Sequence, residues 1–298
     1  MTSNAKIKSI PAIDYIINTD ASNEGWGASD GTNPDINGRW FLHEKENHIN
    51  VLELTAIKFA IEAYLPLRES TNHIRVFSDN TTAISYINKK GGTKCMVLND
   101  LAFHIWQFCI NYNAHLSAAH IPGAHNLLAD IASRQFQDSA EWALPQHVFQ
   151  NIISRFGKPD IDLFASRLNH KLPCYASWKP DPESSIIDAM SVSWSNRFIY
   201  MFPPFSMMWP VLTKMEEDQV DRAIIIMPRW STQSWYPRIM KKVISPPFII
   251  PSSVLHLPGT SKKHPLSPKL ALLAVLCSWK DRTPFHSATQ QNNLYKAP

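Results

Sequence analysis

Glycine is scarce in this sequence. Only 9 of the 298 residues are glycine, against 22 prolines, which reverses the ordinary order of ~7% and ~5%. Seven of the glycines lie before residue 141, whereas 18 of the prolines lie after residue 140. Cysteine is scarce too. Cys95, Cys109, Cys174 and Cys277 are scattered, with no C-x-x-C pair, which excludes a disulfide framework and gives no zinc signature. The longest clean apolar run, Leu270 to Cys277, falls far short of the ~18 residues of a membrane helix. The opening MTSNAKIKSI lacks the apolar core of a signal peptide. An intracellular protein, of cytoplasm or nucleus and without a membrane partner, is therefore expected. Acidic residues thin out along the chain. Residues 1–140 carry a net charge of −3 and residues 141–298 a net charge of +7. A hydrophobic content of 44% excludes a mostly disordered chain, and the length suits two domains of ~100–200 residues.

The first half reads as a definite series of elements. Residues 14–19 (DYIINT), Trp26 to Ser29 and Arg39 to Leu42 predict three short strands with Gly, Asn and Asp between them, as in an antiparallel meander. Val51 to Leu65 has a helical period and stops at Pro66. His73 to Ser78 predicts a fourth strand, Thr81 to Asn88 a short helix, and Met96 to Tyr112 a long one. His115 to Ile121 and Asn126 to Arg134 predict a fifth strand and a last helix. This order suits a mixed five-stranded sheet flanked by helices.

Four acids fall at the ends of these elements. Asp20 closes the first strand, Glu53 lies in the first turn of the main helix, Asp79 follows the fourth strand, and Asp130 lies in the last helix. Each taken alone reads as a solvated side chain, and Glu53 also as a complement to its helix dipole. Taken together, strand-end acids beside a helix-borne glutamate supply oxygen ligands for hard cations. Carboxylates gathered within a few Å repel one another unless protonated or neutralised by metal. A pair of Mg²⁺ ions, with Mn²⁺ as a substitute, supports hydrolysis of a phosphodiester by activating water and stabilising the leaving oxygen.

Four motifs carry a family resemblance. TDAS (Thr19–Ser22), LELTAI (Leu52–Ile57), FSDN (Phe77–Asn80) and HIPGAHNLLADIASR (His120–Arg134) resemble, in order and spacing, those of type 1 ribonuclease H. They cover residues 12–136, and the last is similar to copies in retrotransposons. The resemblance implies an RNase H-like fold and a metal-dependent endonuclease that cuts the RNA strand of RNA/DNA hybrids. It implies that Asp20, Glu53, Asp79 and Asp130 hold metal, with His120 assisting catalysis through proton transfer or product release. It also implies nucleic-acid contacts from Ser22, Asn80 and Asn126. Asn126 alternatively reads as a helix cap, and His120 as a surface residue at a strand end. Only Lys89, Lys90 and Lys94 stand where relatives carry a basic substrate-gripping helix. With the −3 balance, that predicts weak hybrid affinity alone and an upstream reverse transcriptase domain as partner. Since the first strand begins at Asp14, the chain is expected to be a segment of a longer retroelement polyprotein.

The second half alternates strands and helices. Pro145 to Phe156 predicts a helix, with Gly157 beyond its end. Pro159 to Ala165, Arg197 to Phe202 and Arg222 to Met227 predict strands. Ser206 to Glu217 and Trp235 to Val243 predict helices, in a parallel α/β layer. DLFASRLNHKLPCYASW, FPPFS and IIIMPRWSTQSWYP resemble a phage-type adenine-N6 methyltransferase, of the kind that DIRS-like retrotransposons carry behind their ribonuclease H. The resemblance implies a smaller Rossmann-like domain. The family's motif opens with Asp, Asn or Ser, which accepts a hydrogen bond from the target amine. Here that position is Phe202, followed by Pro203, Pro204 and Phe205. Only Gly157 and Gly259 occur after residue 140, so no glycine-rich turn for S-adenosylmethionine is evident and that cofactor is not expected. Asp162 reads as a cofactor-side acid or as an ordinary strand-end aspartate. Trp178, Trp194, Trp209, Trp230 and Trp235 are expected to build core, although aromatic rings on a basic domain also suit base stacking.

The expected boundaries are an N-terminal extension (1–11), the ribonuclease H domain (12–136), a linker (137–144), the methyltransferase-like domain (145–245) and a Pro-rich tail (246–298). In the linker, Trp142 is expected to pack on the first domain. In the tail, one short helix is expected near Leu270–Trp279, Lys262, Lys263 and His264 form a weak basic cluster, and the last dozen residues lack order. Two alternatives to a ribonuclease stand beside it, a non-catalytic nucleic-acid-binding remnant and a DNA adenine methyltransferase activity in the second domain.

Overall fold

In Tyr15–Ala21 (β1) alternate side chains turn inward, with Tyr15, Ile17 and Thr19 buried and Ile16 exposed. A computed structural model describes residues 10–68, 70–136, 141–251, 254–267 and 269–280. They fall into two units, Met1–Gln137 with Lys179–Ser184, and Asp138–Trp178 with Ser185–Pro298.

In the first unit β1 is followed by β2 (Gly25–Ser29), β3 (Ile36–Arg39) and a single helical turn α1 (Leu42–Lys45). Then come α2 (Ile49–Tyr64), β4 (His73–Ser78), α3 (Thr81–Asn88), α4 (Met96–Asn111), β5 (His115–His120) and α5 (Leu127–Arg134). The sheet order is β3-β2-β1-β4-β5. The β1–β2 and β2–β3 pairs are antiparallel, and the β1–β4 and β4–β5 pairs are parallel. This is the mixed five-stranded sheet with flanking helices that the motifs imply. The third strand lies three residues earlier than expected, and Leu42 belongs to α1 rather than to a strand. Helix α2 buries ten side chains, including Leu52, Ile57, Phe59 and Ile61, which explains why its apolar positions run nearly all round. Gly27 lets α5 approach the sheet. A β-carbon there would stand 2.4 Å from Ser133 N and 2.5 Å from Ala129 O.

The second unit contains α6 (Gln146–Phe156), β6 (Ile161–Asp162), the short pair β7 (Ala176–Ser177) and β8 (Ile186–Ile187), and β9 (Phe198–Met201). It continues through α7 (Met208–Glu217), β10 (Arg222–Pro228), α8 (Trp235–Met240), β11 (Phe248–Ile250) and β12 (Leu272–Cys277). The main sheet runs β11-β12-β10-β9-β6. Strands β6, β9 and β10 are parallel, whereas β12 is antiparallel to both β10 and β11. The layer is therefore mixed rather than purely parallel. Its two faces bury separate cores. Ile199, Met201, Ile225 and Val275 pack with α7 and α8, while Tyr200, Ile224, Leu272 and Leu276 pack with α6. Helices on both faces of such a sheet make a three-layer α/β unit.

Two corrections concern residues 246–280. The expected helix near Leu270–Trp279 is strand β12, all six residues of which are buried. The expected Pro-rich tail supplies two strands of the main sheet, because β11 and β12 lie within it. Residues 1–9 of the expected extension, 137–140 of the linker and the last dozen residues lie outside the described set. Trp142 belongs to the second unit, where its ring meets that of His264 at 4.7 Å. Trp194 and Trp235 are core as expected, whereas Trp178 and Trp209 are exposed.

Candidate functional site

The carboxyl ends of parallel strands converge on one edge of a sheet, and loops leaving them build sites there. In the first unit Asp20 arrives near the end of β1 and Asp79 immediately after β4. Asn80 fixes the turn that follows. Its Oδ1 accepts from Ala83 N–H at 2.9 Å as the cap of α3, and its Nδ2 donates to Asn50 Oδ1 at 2.9 Å. Glu53 enters from the first turns of α2. Carboxylate oxygens of Asp20, Glu53 and Asp79 lie within 4.8 Å of one another, with Asp20 and Glu53 buried and Asp79 exposed.

The fourth acid stands outside this trio. Asp130 Oδ1 accepts from Arg134 Nε at 2.8 Å one turn along α5, although its charge still acts on Asp20. Ser133, which sequence reasoning did not single out, links the two groups. Its hydroxyl lies 2.7 Å from Asp20 Oδ2 and 2.9 Å from the Asp130 carbonyl. Its signal was the three-residue spacing from Asp130, which puts both on one helix face. Gly123 keeps space beside Asp79, since a β-carbon there would stand 3.2 Å from Asp79 Oδ2.

The electrostatics follow from this crowding. Burial, then the charges of Asp20 and Asp79, push the Glu53 carboxyl up to about 8. Burial, then the Asp130 and Asp79 charges, raise Asp20 against the opposing Ser133 hydrogen bond. Glu53 Oε2 is buried without a hydrogen-bond partner. An orphaned oxygen beside two further carboxylates is the donor set of a hard divalent cation, so the residues present fit one.

The other predicted positions spread around this cluster. His120 is exposed at the end of β5, opposite Ser78 in the ladder. Asn126 is 2% exposed and donates from Nδ2 to Thr19 O at 2.8 Å; its side chain makes no capping bond. Ser22 is buried in the β1–β2 turn, where its hydroxyl lies 2.7 Å from Ser133 O. Lys89 and Lys90 close α3 on the surface, with Lys90 Nζ 4.8 Å from the Trp106 ring centroid.

In the second unit Asp162 ends β6 and Phe202 follows β9. Asp162 is 2% exposed. Its Oδ2 accepts from Lys171 N–H at 3.0 Å and its Oδ1 has no partner. Burial pushes it up to about 7. A gap of about 10 Å³ adjoins Asp162, lined also by Trp142, Asn169, Lys171, Tyr200 and Phe202. A larger pocket of about 240 Å³ is lined by Trp142, Phe202, Pro203, Phe205, Leu255 and His264, with Pro204 and Ser206 at its exposed edge. Trp142 and Phe202 line both cavities. Leu255 carried no sequence motif, His264 stood only in the weak basic cluster, and Lys171 lay inside DLFASRLNHKLPCYASW without being singled out.

The family described as DNA N-6-adenine-methyltransferase (Dam) matches residues 133–297. No curated protein matches the chain. Among solved structures, RNase H1 from the halophilic archaeon Halobacterium salinarum NRC-1 is similar over 40% of this chain and 92% of its own, at 20% identity and a TM-score of 0.32. An N-terminal RNase H domain from Mycobacterium tuberculosis, solved fused to maltose-binding protein, is similar over 39% of this chain and 93% of its own, at 19% identity and a TM-score of 0.30.

Proposed function

The chain belongs to the DNA N-6-adenine-methyltransferase (Dam) family through more than half of its residues, and we propose that the unit preceding that match is a metal-dependent ribonuclease H. Its reaction is cleavage of the RNA strand in RNA/DNA hybrids. The observation that carries this reading is the buried, partnerless Oε2 of Glu53 in a cluster with Asp20 and Asp79. The four motifs and the β3-β2-β1-β4-β5 sheet order support it.

Asp20, Glu53 and Asp79 would hold divalent cations, two Mg²⁺ in this reading, and Asp130 would join them on leaving Arg134. Bound metal supplies an activated water and neutralises charge on the phosphate. The water oxygen bonds to phosphorus while the bond to the ribose 3′ oxygen breaks, leaving 5′-phosphate and 3′-hydroxyl ends. The attacking water gives its proton to solvent, and the departing oxygen gains one. His120, exposed beside the cluster's strand edge, moves a proton at that oxygen or helps the product leave. Ser133 holds Asp20 in its rotamer, and Asn126 fixes the backbone at Thr19. Lys89 and Lys90 meet the phosphate backbone. The hybrid is distinguished by groove shape and 2′-hydroxyls rather than by sequence. In the same reading the hybrid is a product of reverse transcription in a retroelement, with a polymerase domain to grip the duplex.

A labelled hybrid with Mg²⁺ tests the proposal. Asp79→Asn is expected to lower cleavage ~10²–10⁴-fold, the several kcal/mol that metal-borne charge stabilisation is worth. Equal rates for variant and parent would refute it, and metal-independent binding without cleavage would favour a non-catalytic remnant.

A further inference from the structure

The family match implies S-adenosylmethionine in the second unit, and the residues present do not fit it. Asp162 is 2% exposed beside a gap of about 10 Å³, room for about one water. Phe202 offers no acceptor where the family's motif carries one. A contribution of the later half to the chemistry lies elsewhere, in the six residues Lys179–Ser184, which are part of the first unit.

In sequence these residues (KPDPES) lie between β7 and β8. Pro180 and Pro182 are buried, and each proline fixes φ and stiffens the segment. Glu183 holds φ +68, a backbone state that persists where the surroundings impose it. Its charge acts on Glu62 of α2. At the other end of the segment, Lys179 Nζ donates to Asn37 Oδ1 at 2.6 Å.

Asn37 is the link to the acids. It lies on β3 and pairs with Gly27 in the ladder, the position that lets α5 approach the sheet. Its Nδ2 donates to Ala132 O at 3.0 Å and to Gln135 O at 2.6 Å. The last carbonyls of a helix have no partner inside it. Helix α5 ends at Arg134, followed by Gln135 and Phe136, without the glycine that commonly satisfies them. The Asn37 amide fills that role, while Ser133 O accepts from the Ser22 hydroxyl. Turned over, the amide would set its own oxygen against those carbonyls. An ammonium has donors and no acceptor. Lys179 therefore holds the amide oxygen toward itself and the amide hydrogens toward α5. The same last turn carries Ser133, whose hydroxyl lies 2.7 Å from Asp20 Oδ2.

We infer that Lys179 is a positioning residue for the acidic cluster: through Asn37 it holds the last turn of α5, and with it the Ser133 hydroxyl against Asp20. Only its effect on cleavage rests on the ribonuclease reading.

The test uses the full chain, with melting temperatures reporting that each variant folds. Hydrogen exchange in EDTA reads the α5 amides without metal or substrate. Lys179→Met is expected to speed exchange at Ser133, Arg134 and Gln135 about tenfold, the worth of one charge-assisted hydrogen bond, and to leave α2 unchanged. Lys179→Arg, which keeps the charge and a donor, should retain protection. Asn37→Asp pairs with the lysine but gives α5 no donor, so it too should speed exchange. Lys179→Met added to Asn37→Ala should change nothing further. Mg²⁺ affinity by calorimetric titration should fall about threefold to tenfold in Lys179→Met, as when a ligand loses its supporting partner. Hybrid cleavage should lose kcat with KM unchanged. Unchanged α5 exchange, or faster exchange with unchanged Mg²⁺ affinity, overturns the inference. A rise in KM alone overturns it in favour of direct contact between Lys179 and the phosphate backbone. A parent chain that binds Mg²⁺ yet cleaves no hybrid refutes the ribonuclease reading instead, and the exchange and Mg²⁺ results then decide this one.

Discussion

The two units place their key residues at the same topological position and end with opposite chemistry. In the first, β4 lies between parallel neighbours β1 and β5; in the second, β9 lies between β6 and β10. The residue after the central strand is Asp79 in one and Phe202 in the other, and the neighbouring strand contributes Asp20 or Asp162. Acid beside acid gives a cluster that positive charge must balance, and burial with like charge holds Glu53 at about 8. Acid beside aromatic gives Asp162 buried alone, raised to about 7 by desolvation and held by the Lys171 N–H. A sheet edge offers a place for a site, and single side chains decide what the site does.

That contrast breaks first at glycine. Gly27→Val puts side-chain atoms into Ser133 and Ala129 of α5, and is expected to cost ~3 kcal/mol or more through overpacking. Hybrid cleavage should be lost, and the melting temperature of the first unit should fall by roughly 6–12 °C. Gly157→Ala in the second unit meets only strain at φ +94 and a contact of 3.3 Å to an Arg222 nitrogen. It should cost ~1–2 kcal/mol and leave cleavage intact. Calorimetry and the hybrid assay check both.

Proton linkage sharpens the contrast. Glu53 keeps its proton in the folded chain up to about 8 but loses it near the ordinary 4.5 when unfolded. Between those values the folded state binds more protons, so stability falls as pH rises. Asp162 acts in the same direction between 3.8 and about 7. Thermal melts in EDTA should therefore decline from pH 5 to pH 8. Mg²⁺ should restore stability, most at pH 8 where ionised carboxylates bind it best. Glu53→Gln should flatten the slope and remove the Mg²⁺ response, whereas Asp162→Asn should flatten only the lower part and keep that response.

The smallest effect belongs to Arg134. Its pair with Asp130 is an i,i+4 contact between half-exposed side chains, worth ~0.3–0.5 kcal/mol. Arg134→Ala should barely move the melting temperature, yet tighten Mg²⁺ binding in a titration because Asp130 is released toward the cluster. An unchanged Mg²⁺ affinity would leave Asp130 out of the site.

Much of the first unit was legible because its signals are local. The bounds of α2, β4 and α3 coincide with their expected positions within two residues. Strand β3 was misplaced for a physical reason. Its sequence INGR has weak strand propensity, and Gly38 is there because it pairs with Trp26, whose Nε1 would lie 2.8 Å from any β-carbon. The apolar Trp40 and Phe41 drew the expected strand toward themselves. Strand β12 was missed because LLAVLC has one β-branched residue and is buried throughout, so period 2 leaves no trace and a buried helix reads the same. The acids were legible as types, but the separation of Asp130 from the other three was not, since it depends on Arg134 one turn away.

Two side-chain bonds give the first unit an order of events. Asn126 reaches Thr19 across 107 residues and Ser133 reaches Asp20 across 113. Contacts of such span form late, because the intervening loop must close before they stabilise anything. During synthesis the strands that bear Asp20 and Asp79 emerge well before α5 does. A ribosome must pass Ser133 before the first acid acquires its hydroxyl partner, so the surroundings of the acidic cluster are complete only when this unit is finished.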